Sequence, residues 1–217
     1  MVHKEWLRYY TELPSRNADQ SDNTLRYYKT LLGIDLAISQ KDTADYTAMV
    51  AVHVFGFQES LKIYVDPIII NKRLTHKETL EEIEKTVKHL GGKHKVHVIV
   101  EDVGYQAAVI QYLDNNNYRV AGFKVHGMDK RARFVAVSHL FESRKVWLPQ
   151  STSKALAAQL VGFGIEKHDD LVDALVMTLQ CILAGDRPVG NQRAQVGMSY
   201  QEMFELQGWG ENLDMNW

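Results

Sequence analysis

Asp35 is a carboxylate set among apolar residues: Leu32, Ile34, Leu36 and Ile38 surround it in an extended run from Leu31 to Ala37. An ionised carboxyl in such a run is costly unless it meets a cation, a set of donors, or water at a strand end. Glu101 poses the same question. It follows Val96-His97-Val98-Ile99-Val100, which has the pattern of a parallel strand. Ligand sites in open α/β sheets gather at the carboxyl ends of such strands. A third acidic place is Asp169, Asp170 and Asp173, at the start of a helical pattern running to Leu183. Asp169 or His168 can cap that helix. Asp173 has no such reason to be there, because Leu171, Val172, Ala174, Leu175 and Val176 surround it. Residues three or four apart share a helix face, with Cβ atoms about 5–6 Å apart. Asp173 can therefore point with Asp170 or with Asp169, and like charges so placed repel unless a cation lies between them.

Taken singly, Asp35 reads as a turn cap at a strand end and Glu101 as a solvated strand-end acid. Together with the helical acids they describe a metal site. Hard oxygen ligands select Mg²⁺ or Mn²⁺. Two such ions about 4 Å apart can activate water and stabilise the leaving oxygen in phosphodiester hydrolysis. His168 is placed to add a ligand or carry a proton, one of nine histidines in the chain.

The elements that must position these acids alternate between strand and helix. Leu31 to Ala37, Thr47 to Phe57 and Leu61 to Ile70 are expected to form an antiparallel meander, since only short turns separate them. Thr75 to Leu90 has helical spacing (Leu80, Ile83, Val87, Leu90), a Thr75/Glu78 capping box and Gly91 after its end. Val96 to Val100 is a strand, Tyr105 to Leu113 a helix, Tyr118 to Val125 a strand and Lys130 to Phe141 a helix. Val146-Trp147-Leu148 is a short extended piece stopped by Pro149. Ser153 to Val161 and Asp169 to Leu183 are further helices. Right-handed crossovers after a meander give an α/β fold: a mixed sheet of three antiparallel and further parallel strands, flanked by helices.

The 217 residues are enough for one domain with extensions, and 45% hydrophobic with 24% charged residues is ordinary globular composition. The expected organisation is an N-terminal helix and linker over 1–29, a catalytic domain over 30–184 and a tail over 185–217. No apolar run reaches membrane-spanning length, so no membrane partner is expected. The single cysteine, Cys181, excludes an internal disulfide and a thiolate zinc site, which suits an intracellular setting. A net charge of −2 argues against a simple electrostatic DNA binder. A metal-carboxylate nuclease escapes that objection, because bound cations neutralise its acids. The one basic concentration lies in 119–145, where Lys130, Arg131 and Arg133 open a helix close to the expected site. These three are the candidate phosphate contacts, with the solvated face of a helix as the plainer reading of each.

Gly33-Ile34-Asp35-Leu36-Ala37, Asp45-Tyr46-Thr47-Ala48, Val98-Ile99-Val100-Glu101, Lys130-Arg131-Ala132-Arg133 and His168-Asp169-Asp170-Leu171-Val172-Asp173-Ala174-Leu175 occur in this order. That ordered set resembles the nuclease domain of phage terminase large subunits, over about residues 1–184. The resemblance implies a ribonuclease H-like fold and two-metal cleavage of double-stranded DNA during genome packaging, in the host cytoplasm. It implies Asp35 and Glu101 as metal ligands, either Asp170 or Asp173 as the helical ligand, and Asp45 as a further acid near the first hairpin. A portal protein, a small terminase subunit and a separate ATPase domain are the partners it implies. No G-x-x-x-x-G-K-[ST] phosphate loop occurs in the chain, so the likeness is to the nuclease part alone. Rival readings are a Holliday-junction-resolvase or transposase-like nuclease, an actin-like or sugar-kinase-like phosphate binder using Asp102-Val103-Gly104, and a non-catalytic scaffold that docks a portal protein.

Overall fold

The computed structural model describes residues 2–16, 26–36, 46–102, 104–124, 127–164 and 169–184. Asp45, His168, most of the expected linker and the 185–217 tail lie outside the described residues. The strands are β1 (Arg8–Tyr10), β2 (Tyr27–Asp35), β3 (Thr47–Phe55), β4 (Lys62–Lys72), β5 (Val96–Glu101), β6 (Arg119–Phe123) and β7 (Val146–Pro149). The helices are α1 (His76–His89), α2 (Ala107–Asn115), α3 (Lys130–Glu142), α4 (Lys154–Val161) and α5 (Asp170–Leu183). All seven strands form one sheet in the order β1-β7-β4-β3-β2-β5-β6. The β2-β3-β4 meander is antiparallel, and β5, β6, β7 and β1 add parallel to their neighbours. This is the mixed sheet expected, enlarged at one edge.

At that edge the structure departs from the expected N-terminal helix. Only Lys4–Trp6 makes a 3₁₀ turn, and Arg8–Tyr10 is a strand beside β7. Tyr9 is exposed while Tyr10 is buried, and the Tyr10 hydroxyl donates to the Val65 carbonyl over 2.5 Å. Alternating burial of this kind is what a strand provides and a helix does not. The sheet thus takes in residues before position 30.

The sheet separates two apolar layers. On one face Leu31, Val50, Val52 and Val65 pack against α3, α4 and α5. On the other, Leu32, Ile34, Met49, Val98 and Val100 pack against α1 and α2. Helix α1 begins with the expected reciprocal capping box, and Gly91 after it takes φ 117°. Buried polar groups interrupt the second layer. His53 Nε2 lies 2.8 Å from Asp66 Oδ2, and His53 Nδ1 lies 2.8 Å from Thr30 Oγ1. Asp66 precedes Pro67 at the register shift of β3 against β4, where a strand tolerates proline. Burial raises the Asp66 pKa, but the His53 hydrogen bond and the Ile68 N–H outweigh it and the net shift is downward. A carboxyl with a lowered folded pKa stabilises the fold above its unfolded pKa, and the stabilisation is lost as pH falls through the folded value. Asp66→Asn is therefore expected to lower unfolding free energy by about 2 kcal/mol at neutral pH. Urea midpoints should differ at pH 7 and draw together only once pH falls below the ordinary carboxylate range.

Candidate metal and nucleic-acid site

Alternation along the strands decides where Asp35 points. Leu31 lies in the layer beneath α5 while Leu32 and Ile34 lie in the opposite one, so Gly33 and Asp35 face α5. On β5, Val98 and Val100 belong to the α1/α2 layer and Ile99 to the α5 layer, so Glu101 faces α5 as well. The strands are parallel, with Ile34 opposite Val100, so Asp35 and Glu101 follow as neighbours at the same sheet end. Just beyond, buried Gln106 donates its side-chain amide to the Leu36 carbonyl at 3.1 Å and ties down the chain leaving Asp35.

Helix α5 brings the remaining acids over this end. It passes so close to β2 that a Cβ on Gly33 would lie 2.1 Å from Thr178 Oγ1 and 2.3 Å from the Ala174 carbonyl oxygen. Gln159 fixes its start, accepting from the Leu171 N–H at 3.1 Å. Asp169 occupies the N-cap position, but its side chain makes no cap bond. Its expected role as mainly a helix cap is thereby corrected: the Asp169 carboxylate turns to Lys130 Nζ, 2.6 Å away. Lys130 Nζ also contacts Asp173 Oδ2, so one ammonium bridges two acids of α5.

The electrostatics bind the three acidic places together. Burial and the charges of Asp173, Glu101 and Asp170 push the Asp35 pKa up to about 8, against a smaller opposing pull from Lys130. Burial also raises Asp173, and Lys130 only partly offsets it, leaving a value of about 6. Burial disfavours the Lys130 ammonium, yet its bonds to Asp169 and Asp173 raise its pKa overall. Carboxyls that resist ionisation, first because burial strips them of water and then because other carboxyls face them, are a site short of positive charge. Among the described residues, no three His, Cys, Asp or Glu side chains close on a common point as a metal ion requires. Lys130 lies among them instead, a monovalent cation where the acids demand charge. The donor set, all carboxylate oxygen, fits Mg²⁺ or Mn²⁺ in kind.

The three predicted phosphate contacts separate in space. Arg131 is exposed, Lys130 turns inward to the α5 acids, and Arg133 is buried, with a guanidinium nitrogen 3.5 Å from Glu101 Oε1. Arg133 lies on the inner stripe of α3 with Phe134, Val137, Leu140 and Phe141. Its placement suits holding Glu101 rather than reaching out to DNA. Gly33, Gln106 and Gln159 were not singled out from sequence.

The profile of the Terminase RNaseH-like domain matches residues 32–181, a span that holds every acid of this site. The chain belongs to that family. The domain also resembles several solved structures. The large terminase nuclease from thermophilic phage G20c with bound zinc aligns at 15% identity and TM-score 0.56, covering 82% of this chain and 95% of that one. The nuclease domain of the bacteriophage SPP1 large terminase with bound Mn gives 14% identity and TM-score 0.55, covering 83% and 98%. The human cytomegalovirus terminase nuclease domain, Mn-soaked and inhibitor-bound, gives 19% and 0.55, covering 84% and 95%. At these identities the likeness establishes the fold, the ribonuclease H-like fold of terminase nuclease domains. Comparison with curated proteins gives no match.

Proposed function

We propose that this domain is a metal-dependent endonuclease that cleaves double-stranded DNA, the nuclease domain of a DNA-packaging terminase. The observation that carries the reading is Asp35: a half-buried carboxyl at a strand end, its pKa pushed up to about 8 by desolvation and by three other acids. Folding does not reward such an arrangement, whereas cation binding does. Relatives with bound magnesium, manganese and zinc support the same chemistry. Bound at these acids, two divalent cations would supply an activated water and neutralise the charge on the leaving oxygen.

The chain's own residues divide the remaining work. Asp35 and Glu101, on adjacent strands, are the ligands from the sheet, and Asp173 with Asp170 those from α5. Arg133 orients Glu101 from behind. Arg131, exposed at the start of α3, offers a charge to a phosphate; among the described residues no base-reading arrangement accompanies it, and cutting is expected to be insensitive to sequence. Asp45 and His168 are further candidate ligands. By the same reading the partners are double-stranded DNA, a portal protein, a small subunit and a separate ATPase domain, in the host cytoplasm.

Incubation with supercoiled plasmid should give nicked and linear products with Mn²⁺ or Mg²⁺ and none with EDTA. Cleavage that survives EDTA would sink the metal-dependent reading. A strong preference for four-way junctions over linear duplex would favour the resolvase-like alternative.

A further inference from the structure

Lys130 and Arg133 stand three residues apart on α3 and both reach the acid cluster, yet they are held differently. The Arg133 side chain is 6% exposed and enclosed by the core. The Lys130 side chain is 44% exposed while its ammonium bridges Asp169 and Asp173. A cavity of about 350 Å³ opens beside it, lined by Arg131, Phe134, Phe163 and Gly164. A lysine is a point charge on a flexible stem, whereas a packed guanidinium is fixed in place. Lys130 therefore has both a reason to stay, two carboxylates, and room to leave.

We infer that Lys130 is a built-in counter-cation of the acid cluster, which holds Asp169 and Asp173 in the metal-free protein and must be displaced when a divalent cation takes Asp173. The inference rests on the metal-dependent reading above. It gives Lys130 a role other than the phosphate contact expected from its sequence position. A divalent ion brings more charge to Asp173 than one ammonium does, and it relieves the repulsion on Asp35 that Lys130 only partly offsets. The lysine thus sets how much cation the site needs before it fills.

The test is Mn²⁺ binding to the full chain without DNA, by titration calorimetry, for wild type, Lys130→Met and Arg131→Met. Removing the internal competitor should tighten Mn²⁺ binding by about tenfold in Lys130→Met and leave Arg131→Met unchanged. The metal-free melting temperature of Lys130→Met should also fall, and Mn²⁺ should restore it. Lys130→Gln carries the same comparison if the methionine variant does not fold. Wild-type affinity or weaker binding in the Lys130 variants would overturn the competitor role while leaving the metal site standing. Absence of Mn²⁺ binding in every protein would overturn both.

Discussion

Asp35→Asn is expected to lose plasmid cleavage by about a thousandfold or more and, without metal, to melt at a higher temperature than wild type. The two effects have one cause. Asp35 is drawn out of water where the charges of Asp173, Glu101 and Asp170 converge, and desolvation first and those charges second push its pKa up to about 8. An acid whose folded pKa exceeds its unfolded one destabilises the fold once the unfolded chain ionises. Metal-free wild type should therefore lose stability as pH rises from about 4 to about 8, and Asp35→Asn should lose less, the raised Asp173 carboxyl accounting for the loss that remains. At pH 8 the substitution should add about 2 kcal/mol, or about 4–8 °C in melting temperature. A cation site deprived of one ligand loses transition-state stabilisation worth several kcal/mol, hence the size of the activity loss. An Asp35→Asn protein that is less stable without metal and still cuts DNA would contradict both halves.

Gly33→Ala is expected to be among the most damaging single-methyl additions in the domain. The added carbon would lie 2.1 Å from Thr178 Oγ1 and 2.3 Å from the Ala174 carbonyl oxygen. Side chains can rotate away, but a helix carbonyl cannot, so α5 itself must move. The cost should be about 3 kcal/mol, measured by urea unfolding. Thr178→Ala in the same chain should recover only part of it, because the Ala174 contact remains. Since α5 carries Asp170 and Asp173, its displacement should also weaken Mn²⁺ binding in whatever fraction stays folded. Wild-type stability and Mn²⁺ affinity in Gly33→Ala would show that the close approach of α5 to β2 does not position the acids.

The sequence disclosed the chemistry of the site more readily than its support. Asp35 and Asp173 stand out because each interrupts an apolar pattern, and Glu101 because it ends one; the sheet end they share is legible in the strand order, while the face they share follows only from the layers that Leu31, Ile34, Ile99 and Val100 join. The meander and most helices were legible for the same reason: period and capping are local. Strand β1 was not, because its three residues gain their conformation from β7, far along the chain. Gly33 was not, because its need for a missing Cβ exists only once α5 arrives. Arg133, a candidate phosphate contact by its charge, has a spacing from Val137 and Leu140 that places it on the inner stripe of α3. Charge suggested exposure there, and the helix period would have been the better guide. Asp169 shows the converse error: its cap position was correct, while Lys130 took its side chain for another purpose.

Whether Asp35, Glu101 and the α5 acids share divalent cations is measured most directly by anomalous diffraction from crystals soaked in Mn²⁺. Manganese peaks should appear against the carboxylates of Asp35 and of Asp173 or Asp170, with Lys130 Nζ moved away from Asp173. Soaked crystals with no peak at Asp35, and Lys130 still bridging Asp169 and Asp173, would contradict that sharing.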